Sequence, residues 1–166
     1  MALSNNEILA IARELPIPVP WDRDRFIQNL ATLRGRPIKL IATDTVTLTD
    51  SPCGLLLTRD DDDLILHESG TSDYHIDQIV CHEIGHMVLG HNSTRGVGAD
   101  KQREIDMCRK VLPDIDPATV HAVLGRTNYA SDQERDAEMF ATILMMTAAE
   151  AADQQSMMRS VFFRSR

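Results

Sequence analysis

CHEIGHMVLGH, residues 81–91, is the stretch on which the reading of this chain turns. It sets His82 and His86 four residues apart, with Glu83 directly after the first, inside an otherwise apolar run. At about 100° per residue, the two histidines fall roughly 40° apart on one helix face, where two imidazoles can converge on one ion. On the same wheel Ile76, Val80, Ile84, Met87 and Val88 form an apolar arc roughly opposite them. One side of this predicted helix can therefore pack into a core while the other faces a cleft.

His82, Glu83 and His86 match the HExxH pattern, in which the histidines hold a metal and the glutamate acts as general base. Read instead as ordinary core or capping residues, two imidazoles and a carboxylate would need other partners to offset their desolvation. Metal binding is the better reading. Catalytic zinc usually takes three protein ligands, so a third is required. On a continuous helix His91 lies roughly 180° around from His82, and it is expected to be a helix-end residue pointing away from the metal. That placement holds unless Gly90 breaks the helix; His91 also misses the HExxHxxGxxH spacing, because it follows Gly90 directly.

The remaining candidate lies in SDQERDAEMFATILMMTAAEAA, residues 131–152. Glu134 and Glu138 share a face there with Ala141 and Met145, next to an apolar arc of Ala137, Phe140, Leu144 and Ala148; Asp136 falls on the far side. Ser131 and Glu134 also form a capping-box pattern, the rival reading of Glu134. Given a histidine pair lacking its third ligand, Glu134 is read as that ligand. Glu138 is a candidate to orient a ligating histidine through the outer ring nitrogen, with a surface salt bridge as the alternative.

HEIGHMVLGH together with ERDAEMFATILMM resembles the ImmA/IrrE family of metallopeptidases, over about residues 60–146. The resemblance implies a zincin-like core, His82, His86 and Glu134 as zinc ligands and Glu83 as catalytic base. It further implies a helix-turn-helix repressor as the protein substrate, cleaved or inactivated in a stress or mobile-element response. Asp136 stands where the family usually has a second glutamate, and LMMT replaces its common LLMP. Neither change touches a proposed ligand.

Composition sets limits. The 166 residues, 43% of them hydrophobic, suit one domain. With 17 basic against 25 acidic side chains and a formal charge of -8, direct binding to nucleic acid or an anionic membrane is not expected. No stretch approaches the roughly 20 apolar residues of a membrane span, and no secretory leader is evident, so a cytoplasmic location is expected. Cys53, Cys81 and Cys108 are scattered and odd in number, which suits reduced core thiols.

The expected fold class is α+β, with a small antiparallel or mixed sheet packed on a helical layer. Residues 1–35 should form two helices, the first opened by a Ser4/Glu7 capping box and ended by PIPVP, the second carrying Phe26, Leu30 and Leu33 and stopping at Gly35. Residues 36–68 should form the sheet from RPIKLIAT, CGLLLTR and LILHE, with DDDD at 60–63 as a solvated hairpin turn rather than a calcium loop. Residues 72–91 are the site helix. Residues 100–152 are expected to be helical, including DPATVHAVLG with Asp116 as cap, and 153–166 a tail that docks or frays.

As an enzyme, such a chain would be a zinc metalloendopeptidase, with manganese also acceptable to these donors. LILHE is expected to be an edge strand that pairs with substrate, and Tyr74, His75, His121 and Tyr129 are candidate oxyanion donors. Two rivals remain: a non-proteolytic, toxin-like regulator using zinc for structure, with Cys81 or His91 as a fourth ligand, and a metal-free scaffold.

Overall fold

The computed structural model describes residues 2–44, 54–91, 106, 108–110, 112–124 and 129–163. Helix α1, Asn5–Arg13, begins at the anticipated capping box: Ser4 Oγ accepts from Glu7 N and the Glu7 carboxylate accepts from Ser4 N. Helix α2, Arg23–Arg34, starts from Asp22 and ends where Gly35 takes the left-handed conformation, φ 64°. Phe26 and Leu30 enter the core, but Leu33 is 63% exposed, so the buried stripe is narrower than the expected one.

Four strands follow: β1 Ile38–Thr43, β2 Leu55–Arg59, β3 Asp63–Glu68 and β4 Val120–Leu124. Their order is β1-β3-β2-β4, with β1 parallel to β3 and the other two pairings antiparallel. The sheet is therefore mixed, and the class is α+β. Here two expectations fail. LILHE is not an edge strand, because β3 is hydrogen-bonded on both sides, to β1 and to β2. DPATVHAVLG is not a helix either: Asp116 caps a single 3-10 turn, Pro117–Thr119, and the β-branched residues beyond it pair with the open side of β2. Long-range pairing prevails there over local helical signals.

Both sheet faces are covered, which explains the unbroken apolar runs in β2 and β3. Ile38, Leu56 and Ile65 join the main core with α1, α2 and the helices described next. Leu55, Leu57, Leu64 and Leu66 form a second cluster with Cys108, supported by Leu112, Ile115 and Val120. Helix α3, Asp73–Val88, lays Val80, Ile84 and Met87 into the main core. Helix α4, Ser131–Phe163, packs along it through Phe140, Ala141 and Leu144. At 33 residues α4 is about 50 Å long, and it runs past residue 152 into the region expected to be a separate tail. Its final turns carry exposed Met157, Met158, Val161 and Phe162. Among the described residues no helix is long and apolar enough to cross a membrane. Cys81 and Cys108 are buried free thiols; Cys53 lies outside the described residues.

The acidic hairpin is only half solvated, contrary to expectation. Asp62 and Asp63 are buried, 5% and 2% exposed. Asp63 pairs with Arg34 and Arg36, tying α2 to the sheet. Asp62 receives two 2.6 Å bonds from Arg59 and an ion pair from Lys39, and the Arg59 bonds lead in holding its pKa down, from 3.8 to about 2. A carboxylate with a depressed folded pKa stabilises the fold above its unfolded value and loses that contribution as pH falls through the folded one. Asp62→Asn should therefore cost about 1–2 kcal/mol at pH 7 and progressively less from about pH 4 to pH 2, read by urea unfolding at each pH. A pH-independent difference would show that the charge is not what matters.

Candidate metal centre

Helix α3 starts from Ser72, whose hydroxyl accepts from His75 N, and runs unbroken through residue 88. It therefore sets His82 and His86 on the same side, as the spacing requires. His82 Nε2 and His86 Nε2 face each other at 3.1 Å. Helix α4 brings in Glu134, with Oε1 3.2 Å from His86 Nε2 and Oε2 3.6 Å from His82 Nε2. Metal–nitrogen bonds of about 2.1 Å in tetrahedral geometry put ligand atoms about 3.4 Å apart. The observed spacing suits three corners of such a tetrahedron, and His82, His86 and Glu134 are a group able to hold a metal ion. Two ring nitrogens this close repel unless a proton or cation lies between them.

The meeting of the two helices depends on Gly85. A Cβ there would lie 3.0 Å from the Phe140 ring and 3.2 Å from the Ala137 backbone. The helices touch almost backbone to backbone one residue before His86 and three after Glu134. Asp136, on the opposite side of α4, accepts from Leu3 N and pairs with Arg135, anchoring the N-terminal segment.

Burial dominates the electrostatics. It pushes the Glu83 carboxyl up to about 8, with the like charge of Glu134 adding to the effect. It pulls His86 down to about 2, assisted by His82 and His91, so this ring is neutral, the form that ligates. The Tyr129 ring stacks on His86, centroids 3.5 Å apart and planes 8° from parallel. Its hydroxyl is buried without a hydrogen-bond partner among the described residues, and burial, then Glu83 and Glu134, raise its pKa. Glu83 Oε2 is likewise buried and without a partner among the described residues, while its other oxygen lies 3.1 Å from the place a Cβ would take on Gly54.

Each residue anticipated from the sequence can now be placed. His82, His86 and Glu134 come together; Glu134 turns its carboxylate to the histidines, and its backbone N–H is satisfied by Ala130 O. The capping-box reading of Glu134 is thus not what its side chain does. His91 does not point away. Gly90 takes φ 74°, the chain folds back, and His91 Nδ1 reaches to 2.9 Å from His86 Nδ1. It occupies the outer nitrogen of His86, the role considered for Glu138, which lines the adjoining cleft instead. Neither Cys81 nor His91 joins the three-residue group. Of the oxyanion candidates, Tyr74 and His75 line the cleft, Tyr129 covers His86, and His121 is paired with Asp60 on the sheet. Sequence reading passed over Gly54, Gly85 and Asp77; a glycine inside a helical pattern was the one available signal, for Gly85.

Beside the metal group opens a cleft of about 640 Å³ between α3 and α4. Ile79, Ala141, Met145 and Ala149 make it predominantly apolar, His82 and Glu134 stand on its wall, and Trp21 closes one side. Trp21 Nε1 and Arg23 both donate to Asp77 on α3, which fixes that wall.

His86→Ala and Glu134→Ala should each lose a bound divalent metal, measured by elemental analysis after desalting of the metal-loaded chain. Unchanged metal content in either variant would remove that residue from the group. Gly85→Ala should cost about 1–3 kcal/mol and weaken metal binding at once, because the added methyl pushes α4 from α3; tight binding in a destabilised variant would uncouple the two. Comparisons of the chain with protein-family models, with characterised proteins and with solved structures give no match.

Proposed function

We propose that this protein is a zinc-dependent endopeptidase with a zincin-like core, of the ImmA/IrrE kind, acting in the cytoplasm on a helix-turn-helix repressor. The observation that carries the reading is the convergence of His82, His86 and Glu134 beside an apolar cleft, with Glu83 buried next to them. Among the described residues three donors, rather than four, converge, which favours an open catalytic position over a purely structural ion. Zinc is the preferred metal for two imidazoles and a carboxylate; manganese is compatible with the same donors.

When bound, zinc supplies Lewis-acid chemistry, polarising a peptide carbonyl and acidifying a water molecule. The chain's own residues do the rest. Glu83, through its unpartnered Oε2, takes a proton from the attacking water and returns it to the leaving amine. Burial and Glu134 hold the Glu83 carboxyl high, and a cation held by His82, His86 and Glu134 would draw it down toward the range of a working base. Tyr129 offers a hydroxyl with no partner among the described residues, which makes it the preferred donor to a developing oxyanion. The cleft dehydrates and orients the apolar part of the substrate. β1 and β4, rather than β3, are the strands with an unpaired side available to an extended peptide among the described residues.

The test incubates the full chain with zinc and a helix-turn-helix repressor from a neighbouring gene, with and without chelator. Cleavage at one site, abolished by the chelator, is the expected result. Glu83→Gln should keep stoichiometric zinc and lose about 10²–10⁴-fold in cleavage rate. Full proteolysis by that variant would overturn the role of Glu83, and cleavage indifferent to the chelator would overturn the metal mechanism.

A further inference from the structure

We propose that His91 is a positioning residue for His86: it accepts the His86 Nδ1 proton and thereby commits Nε2, on the far side of the ring, to the metal. The two Nδ1 atoms are 2.9 Å apart, and the rings meet edge to face at 65° with centroids 5.1 Å apart. Both side chains are buried, His86 completely and His91 to 9% exposure, so bulk water does not compete for the contact.

Proton positions follow from the geometry. A neutral imidazole carries one N–H, and a hydrogen bond between two Nδ1 atoms needs one donor and one acceptor. His86 Nε2 already faces His82 Nε2 and Glu134, the side where a lone pair is required to ligate. The His86 proton therefore sits on Nδ1, His91 Nδ1 accepts it, and the proton of His91 is on its Nε2. This is the outer-ring bond by which ligating histidines are usually oriented, with an imidazole in place of the usual carboxylate or carbonyl.

Local structure makes the contact possible. A helix continued through residue 91 would carry His91 around to the opposite face. Gly90 ends it instead, at φ 74°, a conformation that side chains rarely adopt. Tyr129, stacked 3.5 Å over the His86 ring, blocks rotation out of the plane, leaving the hydrogen bond to select which nitrogen is free. The spacing HExxHxxxGH thus places a third histidine behind the metal ligand rather than on the metal. The inference rests on the metal reading of the site and is independent of whether a peptide is cleaved.

The experiment uses the full chain loaded with zinc. Long-range ¹H–¹⁵N spectra of the imidazoles should show His86 protonated on Nδ1 and an N–N coupling across the bond to His91 Nδ1. By chelator competition, His91→Phe should bind zinc about 10–100-fold more weakly than wild type. His91→Asn, whose amide oxygen can occupy the position of Nδ1, should restore affinity to within a few-fold. A role in packing alone predicts the reverse order, since Phe fills the space and Asn does not. Undiminished zinc affinity in His91→Phe, or protonation of His86 on Nε2 in the loaded protein, would overturn this assignment and leave the metal group intact. A wild-type chain that takes up no zinc would overturn the metal group and this assignment together. If His91→Phe does not fold, the wild-type ring spectra and His91→Asn decide the matter.

Discussion

The close approach of α3 to α4 at Gly85 is the constraint on which the rest of this structure hangs. A side chain there would meet Phe140 and the Ala137 backbone, so the helices can approach this closely only because residue 85 has none. The same contact carries His82 and His86 on one helix to Glu134 on the other. Core packing and site assembly are therefore one event. The apolar face of α4, with Phe140 and Leu144, supplies the energy, and the polar cluster sits at the margin of that core, where it opens on the cleft.

Such a cluster is costly to bury and does not stabilise the fold by itself. Burial pulls His86 down and pushes Glu83 up, each toward the neutral state, and two ring nitrogens are held 3.1 Å apart. A cation would change the sign of this arrangement, since it attracts both carboxylates and both lone pairs. His91 behind His86 and Tyr129 over it leave that ring little freedom, a preorganisation that suits a group able to hold a metal ion.

Some of this was legible in the residues and some was not. Capping at Ser4 and the stop at Gly35 follow from capping signals, the apolar arc of α3 from helical periodicity, and the pairing of Glu134 with the histidines from the need for a third ligand; all are found in the fold. The failures share a cause. β4 was read as a helix because its neighbour β2 is remote in sequence; LILHE was read as an edge because nothing local says that β1 returns parallel beside it. The DDDD turn is half buried because Arg34, Arg36 and Lys39 reach it from elsewhere and join Arg59 at its own edge. His91 belongs to the far face only of an unbroken helix, and Gly90 breaks it.

The sequence alone thus determined the relations that span one or two helical turns: which side chains share a face, where α1 and α2 start and stop, and that His82, Glu83 and His86 belong together. These are set by the 3.6-residue period and by capping, which need no distant partner. Only the tertiary structure decided which strands are neighbours, that β3 lies inside the sheet, that Gly54 lies against the Glu83 carboxylate, and that the ring of His91 comes to rest behind His86. Those outcomes depend on how remote surfaces exclude water from one another, and no window of adjacent residues contains that information.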